Sequence, residues 1–395
     1  MPVNLNEIPD VIENPDPLHK LRWIIFIVVV CCLGALITLY LWPKNASTKS
    51  IWFWFCAIIL PLITGLVCLV ARLRHYENSC EQAAYWNHLH EQERERQIRR
   101  GRQALFIIGA AYHTPLGCNK LSQALLQGHS QLRSEYYPAL HNSFMTAQLP
   151  VAQVKASQNT YETKLDRALN SLLPMIADEM RQLPRVLPAI RIRHDGTLSD
   201  ALILDAWRRH SSSVLTTSET YVRSEDDGLM WLDTWLDNPK DVVILSVEIN
   251  LFSTPRNKQA ESVSAIFISD EKWVAENDVE PIACVHRPVV GNDAFQTIND
   301  AMRWGSVAAG EALTLWRTQV EMEALSPLLV ALEQGEYLSG IQNEHVLDDS
   351  FGHPAAAVGN IALICAAENA SSSGLPQVIL TGDKSTHMSV VRAVK

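Results

Sequence analysis

The chain has 395 residues, of which 47% are hydrophobic, and its formal net charge at pH 7 is −10. This length suffices for one large domain, or for two smaller domains with additional segments. The acidic balance argues against nucleic acid as a partner, because binding to phosphates requires clustered Lys and Arg side chains.

Two apolar segments near the N-terminus predict a transmembrane hairpin. Residues 23–42 and 51–70 contain no charged side chain, and each segment is long enough to cross the roughly 30 Å hydrocarbon layer as a helix. The first segment is too long for the core of a signal peptide and lacks a small-residue cleavage site. The predicted order is therefore a short tail (1–20), a two-helix transmembrane hairpin (21–75) and a charged helical stalk (76–103).

The distribution of positive charge predicts the orientation of this hairpin. Lys20 and Arg22 precede the first segment, and Arg72, Arg74 and the arginine-rich run 94–102 follow the second. The connector between the segments carries only two lysines. The positive-inside rule then places the N-terminus and the C-terminus in the cytoplasm.

Beyond residue 103 the chain alternates between short apolar runs and amphipathic segments, which predicts an α/β or mixed layered fold around a buried sheet. The predicted strands are 104–110, 241–251 and 262–270, with a closing strand pair over 377–394. The predicted helices are 164–183, 295–320 and one that begins within "FGHPAAAVGN", residues 351–360.

Four segments in chain order resemble the β-ketoacyl synthases of the thiolase-like class. They are "FIIGAAYHTPLGCNKLSQALLQGHSQLR", "SAIFISDEKWVAENDVEPIACVHRPV", "FGHPAAAVGNIALICAAEN" and "VILTGDKSTHMSVVRAV". The resemblance implies a thiolase-like domain over 104–395 that consists of two pseudo-repeated halves, about 104–280 and 281–395. Thiolase folds often form dimers, so a homodimer is compatible with this fold.

The resemblance also implies a catalytic cysteine on a strained elbow at the N-terminus of a buried helix. That elbow is expected within residues 216–235, yet no cysteine occurs between Cys118 and Cys284. His353 matches the position of a catalytic histidine of the family, but it has no cysteine to assist. The prediction is therefore a structural role for His353 and no catalytic site. If chemistry is retained, His353 would act with a hydroxyl group from Ser218, Thr220 or Ser224.

Other candidates are weighed against ordinary structural roles. Cys118 is interpreted as a loop cysteine, and His345, Asp348 and Asp349 near His353 are interpreted as polar loop residues, so neither a metal nor a cofactor is predicted. Trp231 and Trp235 are candidates for contact with a protein partner.

Three functions remain open. The first is a non-catalytic, membrane-anchored adaptor that binds a protein. Its arrangement is similar to that of the adaptors that bring lipase effectors to the spike of bacterial type VI secretion systems. That resemblance implies the bacterial inner membrane and a secreted effector or spike protein as the partner. The second is a divergent acyl-transfer or acyl-binding enzyme of lipid metabolism, and the third is a scaffold of an envelope complex.

Overall fold

The computed structural model describes Val3 and residues 5–43, 47–138, 141–149, 161–238, 243–291 and 293–394. The chain divides into two compact units. The N-terminal unit is Asn4–Gln97, and the larger unit is Ile98–Lys395 together with the first three residues.

The N-terminal unit contains the two helices that are long and apolar enough to cross a membrane. Helix α1 spans Lys20–Leu41. The second helix begins with α2 (Ile51–Trp54), passes through a π-helical turn (Phe55–Ile59) and continues as α3 (Leu60–Gly101). In the most apolar 18-residue stretch of the first helix, no residue is buried. In the corresponding stretch of the second helix, 22% of the residues are buried.

The π-helical turn ends two residues before Pro61, which has no N–H to donate to the preceding turn. The N–H of Leu60 bonds to the carbonyl of Phe55. The carbonyl of Cys56 accepts a hydrogen bond from Oγ1 of Thr38 on α1 at 3.1 Å. The irregular turn thus supplies a polar link between two otherwise apolar helices.

The segment that precedes α1 lies along α3. Oδ1 of Asn87 accepts from the N–H of Ile12, and Nδ2 of Asn87 donates to the carbonyl of Ile12, both at 2.9 Å. Nε1 of Trp86 donates to the carbonyl of Asp10 at 3.2 Å. The residues before the first apolar helix and those after the second therefore lie at the same end of the hairpin.

The larger unit alternates strands and helices. Its strands are β1 (Ala104–His113), β2 (Arg133–Tyr137), β3 (Asn142–Thr146), β4 (Ala189–His194), β5 (Glu219–Val222), β6 (Ile244–Asn250), β7 (Ser262–Asp270), β8 (Ala283–His286), β9 (Val289–Val290), β10 (Leu313–Thr318), β11 (Ile341–Val346), β12 (Gln377–Gly382) and β13 (Thr386–Arg392). Its helices are α4 (Leu121–Leu126), α5 (Tyr161–Gln182), α6 (Asp200–Ser211), α7 (Trp231–Asp237), α8 (Glu271–Asn277), α9 (Ala294–Trp304), α10 (Met322–Gln334), α11 (Leu347–Ser350) and α12 (Val358–Ser373).

The strand order shows an internal duplication. The first half has the order β5-β4-β6-β7-β1, and the second half has the order β11-β10-β12-β13-β8. If the strands of each half are numbered one to five along the chain, both orders are 3-2-4-5-1. In both halves the fifth strand is antiparallel to the fourth. The halves join where β1 pairs with β8, while β2 and β3 form a separate hairpin.

Two apolar clusters cover the sheet. Four apolar residues of α5 recur at helical spacing and therefore share one face, which is buried in one cluster. They are Leu165, Leu169, Leu172 and Ile176. Helix α12 is buried along nearly its whole length in the other cluster, because its residues are mostly small or aliphatic. Its close packing depends on Gly359. A Cβ there would lie 3.0 Å from Oε1 of Glu248.

Most of the predicted elements are confirmed, but one helix is wrong. Strands β1 and β7 and the β12–β13 pair lie where they were predicted. The first two residues of the predicted strand 241–251 lie outside the described residues. The predicted helix 295–320 is α9 followed by strand β10, because Gly305 ends the helix and Gly310 turns the chain with a φ of +72°. Helix α12 begins only after a 3₁₀ turn that follows Pro354.

Candidate functional site

The turn that enters α7 lies within the region where the resemblance places the catalytic elbow. Gly228 is buried there and has a φ of +42°, a strained conformation that favours glycine. A Cβ at this position would lie 2.6 Å from Nε2 of His387. This elbow turn is therefore strained at Gly228, and the ring of His387 occupies the space that a side chain would need there.

The turn between β12 and β13 and the first residues of β13 hold this elbow. Oδ2 of Asp383 accepts from the N–H of Gly228 at 2.8 Å, and Nε2 of His387 accepts from the N–H of Leu229 at 2.9 Å. Nδ1 of His387 lies 3.1 Å from the carbonyl of Ser385, to which it donates. These partners require a neutral imidazole, and burial lowers the pKa of His387 accordingly.

The three hydroxyl candidates lie elsewhere. Ser218 is exposed before β5, and its N–H donates to the carbonyl of Pro188. Thr220 lies within β5 and Ser224 in the turn that follows, and both are half-buried. None of the three lines the cavity that contains His353. The structure therefore does not bring a predicted hydroxyl and His353 together.

A cavity of about 680 Å³ opens at the C-terminal ends of β4, β6, β10 and β12. This is the edge at which α/β sheets commonly bind ligands. No cysteine, serine, threonine, tyrosine or lysine occurs among the described residues that line it. The lining residues are Arg193, His194, Asp195, Asn250, Arg256, Gln319, Val320, Glu321, Met322, Asp348, His353, Ala355, Ala356, Gly382 and Asp383.

Part of the cavity wall is held in strained backbone conformations. Gln319 has a φ of +55° and Ala355 has a φ of +46°. The N–H of Ala355 donates to Oε1 of Gln319 at 2.9 Å, so each residue fixes the other. Strain of this kind persists only where the surroundings enforce it, and it clusters at functional sites.

His353 contributes to the fold through its backbone. Its N–H donates to the carbonyl of Lys258 at 2.7 Å, and its carbonyl accepts from the N–H of Ala260 at 3.1 Å. Its ring is partly exposed in the cavity, with Nδ1 at 3.6 Å from Oδ1 of Asp348. That separation is too long for a hydrogen bond.

We therefore expect His353→Gln to be tolerated. The free energy of unfolding should change by less than about 1 kcal/mol, because the backbone bonds remain and a polar side chain can still line the cavity. Thermal unfolding of the detergent-solubilised chain measures this. The matched control is Gly359→Leu, where overpacking should cost about 1–3 kcal/mol. Equal losses of stability in the two variants would contradict the prediction.

A buried ion pair links the sheet to α12. Nη1 of Arg191 lies 3.1 Å from Oε1 of Glu248, and both side chains are almost fully buried. Oε2 of Glu248 accepts from the N–H of Asn360 at 2.8 Å, in the first turn of α12. The carboxylate thus faces both a guanidinium group and the positive end of a helix.

The two tryptophans proposed for contact with a partner differ in exposure. The side chain of Trp231 is only 9% exposed, and the guanidinium group of Arg191 lies 4.5 Å above its ring. Trp235 is half-buried. Contact with a partner stays a prediction for both residues, and Trp235 offers it the larger surface.

Cys118 is not activated by its neighbour. Its Sγ lies 3.1 Å from Nδ1 of His113. Desolvation raises the pKa of Cys118 and lowers that of His113, so both groups are held in their neutral forms. A nucleophilic thiol requires the opposite shift in its own pKa.

The residues considered for a metal site are divided between two places. His345 lies in β11 with its ring against Trp316, at a centroid distance of 5.0 Å, whereas Asp348 and His353 line the cavity. Among the described residues, no group of three or more His, Cys, Asp and Glu side chains could hold a metal ion.

Sequence reasoning missed the polar residues of the cavity. Arg193 lies in β4, Asn250 at the end of β6 and Asp383 in the turn after β12. The run "RIRH" in β4 could have indicated buried polar contacts at this end of the sheet, because charged residues within a buried strand must have partners.

The buried histidines predict a stability that falls with acid. Burial lowers the pKa of His286 from 6.5 to about 4. Between these values the unfolded chain binds a proton that the folded chain does not, so the free energy of unfolding falls as the pH falls. The slope is at most about 1.4 kcal/mol per pH unit for this histidine. Chemical unfolding at several pH values measures it. His286→Asn should flatten the slope, and an unchanged slope would contradict the assignment.

No protein-family model matches the chain, and no curated protein matches it in sequence. Solved structures do match. A ketosynthase from module 6 of the bacillaene synthase of Bacillus subtilis 168 is 10% identical, with a TM-score of 0.53 over 74% of this chain and 71% of that chain. A β-ketoacyl synthase from Burkholderia phymatum is 10% identical, with a TM-score of 0.52 over 74% of this chain and 100% of that chain. The chain thus has a thiolase-like fold, and the fold class expected from the sequence is confirmed.

Proposed function

We propose that this chain is a non-catalytic, membrane-anchored thiolase-like protein that binds a protein partner as an adaptor. The observation that carries the proposal is the elbow before α7. Gly228 occupies the strained position, and His387 fills the space that a nucleophile would need. The described residues around the cavity include two histidines and four carboxylates but no nucleophilic hydroxyl or thiol.

The proposal includes the membrane. Two long apolar helices with exposed aliphatic side chains suit a lipid environment. The hydrogen bonds of Asn87 to Ile12 support a hairpin with both flanks on one side. The arginine-rich flank after the second helix favours the cytoplasm for that side.

A finer proposal concerns the partner. The arrangement of an anchor followed by a degenerate α/β domain is similar to that of type VI secretion adaptors. We therefore propose a secreted effector or spike protein at the bacterial inner membrane as the partner.

Affinity capture of the intact protein from its native membrane tests the adaptor function. We expect one protein to co-purify in a fixed ratio, and an acyl-thioester probe to leave no covalent label. Covalent labelling that is lost in a single Ser or Thr variant would instead support the acyl-transfer alternative. Capture of no specific protein would contradict the adaptor function.

Reporter fusions test the topology. A reporter fused after Lys395 should be cytoplasmic, and one placed in the 43–50 connector should be external, because the positive flanks favour the cytoplasm. Residues 44–46 of this connector lie outside the described residues. Protease digestion of the C-terminus from the external side would contradict the proposed orientation.

A further inference from the structure

The imidazole of His387 is fully buried and uses both of its ring nitrogens. Nε2 accepts from the N–H of Leu229 at 2.9 Å, and Nδ1 donates to the carbonyl of Ser385 at 3.1 Å. Only the neutral ring with its proton on Nδ1 satisfies both partners. A second proton would place an N–H donor on Nε2 against the N–H donor of Leu229. The contact with Leu229 therefore exists only while the ring is neutral.

Carboxylates make the other side-chain contacts between this turn and the elbow. Asp383 accepts from the N–H of Gly228 at 2.8 Å. Asp227 accepts from the N–H groups of Lys384 and Ser385 at 3.0 Å and 3.2 Å. Carboxylates in general take up a proton about two pH units lower than an imidazole does. Mild acid therefore acts on the contact of His387 and leaves the carboxylate contacts in place.

Among the described residues, charged groups from three elements act on His387. Burial favours the neutral ring and lowers its pKa. The carboxylates of Asp227, in the turn before α7, and of Asp383, in the turn before β13, favour the protonated ring, whereas the guanidinium group of Arg193 in β4 disfavours it. The residues of β12 and β9 that pair with His387 are uncharged. Two carboxylates can thus stabilise the imidazolium once the ring has left Leu229.

The charge of His387 also bears on the space beside the elbow. Its ring fills that space, since a Cβ on Gly228 would collide with Cε1 and Nε2 of the imidazole. Asp383, which accepts from the N–H of Gly228, lines the cavity. A ring that leaves this position would open the space beside the elbow and alter one wall of the cavity.

We infer that His387 is an acid-sensitive latch: protonation of its ring releases the N–H of Leu229 and frees the chain that enters α7. The carboxylate contacts of Asp227 and Asp383 remain and form the hinge of this movement. The latch belongs to the fold of the larger unit, and it does not depend on the adaptor function.

Hydrogen exchange of the full-length protein in detergent tests the latch. Fragmentation of the labelled peptides resolves single amides, and the protection factor of the Leu229 amide is followed from neutral pH to about pH 5, the range in which histidine titrates. The reference is the amide of Ile364, a buried residue inside α12.

We expect the protection factor of Leu229 to fall about tenfold per pH unit below about pH 6.5, because the opening exposes an imidazole that then binds a proton. The protection factor of Ile364 should not follow this slope. His387→Gln should abolish the slope, since a carboxamide oxygen can accept from the N–H of Leu229 but does not titrate. His286→Asn is the matched control. It removes another buried histidine and should leave the slope of Leu229 unchanged.

A protection factor of Leu229 that does not depend on pH, or that falls in parallel with that of Ile364, would overturn the latch. An unchanged slope in a folded His387→Gln variant would overturn it as well. Thermal unfolding shows whether that variant is folded. If it is not, the comparison of Leu229 with Ile364 in the unmodified protein decides the question alone.

Discussion

Gly228→Ala should lower the free energy of unfolding by about 3 kcal/mol. A non-glycine residue at positive φ costs roughly 1–2 kcal/mol, and overpacking against a buried side chain adds roughly 1–3 kcal/mol. The overpacking arises because the new methyl group would enter the space of His387, whose Nε2 lies 2.6 Å from the Cβ position. Chemical unfolding of the detergent-solubilised chain measures the loss.

Gly196→Ala is the matched control for this change. Gly196 also has a positive φ, +77°, but a Cβ there would meet no atom within 4 Å. The control should therefore show the backbone cost alone, about 1 kcal/mol. If both variants lost the same stability, the space beside Gly228 would have to be open, and the argument against a nucleophile at this elbow would fail.

Arg191→Met should cost about 3–5 kcal/mol, because it leaves the carboxylate of Glu248 buried without its guanidinium partner. The double variant Arg191→Met, Glu248→Gln should recover most of this loss. The charge of Glu248 is then removed, and the new amide oxygen can still accept from the N–H of Asn360. The remaining loss is that of the contact between Arg191 and Asp226, whose side chain is 22% exposed. Thermal and chemical unfolding of the single and the double variant measure the free energy of unfolding that each has lost.

The control for this pair is Arg209→Met, which removes an exposed partner of Asp205 at 3.5 Å. Such surface pairs contribute roughly 0–1 kcal/mol. Single-variant losses at Arg191 and Glu248 that simply add in the double variant would show that the two charges do not depend on each other.

The elements with strong local patterns could be predicted from the sequence, and the cavity could not. Strand β7 is an unbroken buried run, and α12 is a long run of small and aliphatic residues, so each carries its own signal. The helix predicted over 295–320 covers two elements, because α9 ends before Gly305 and the chain turns at Gly310 before the short strand β10 begins.

The residue at the strained position of the elbow could not be predicted from the sequence. Its region, 216–235, was expected from the chain order, but "DDGL" is typical of any turn. Only the backbone angle at Gly228 and the position of His387, more than half the domain away in sequence, identify the residue at the strained position. Likewise, Arg193 and Asn250 meet at one cavity only because β4 and β6 are neighbours in the sheet.

The pairing of β1 has a consequence for biosynthesis. This strand leaves the ribosome first among those of the larger unit, yet its two partners are β7 and β8, and Leu105 pairs with Asp270 and Val285. The centre of the sheet therefore cannot form until most of the domain has been translated. Contacts so distant in sequence slow folding and leave apolar strands exposed in the meantime. The nascent chain should thus depend on a chaperone to shield β1 until β7 emerges.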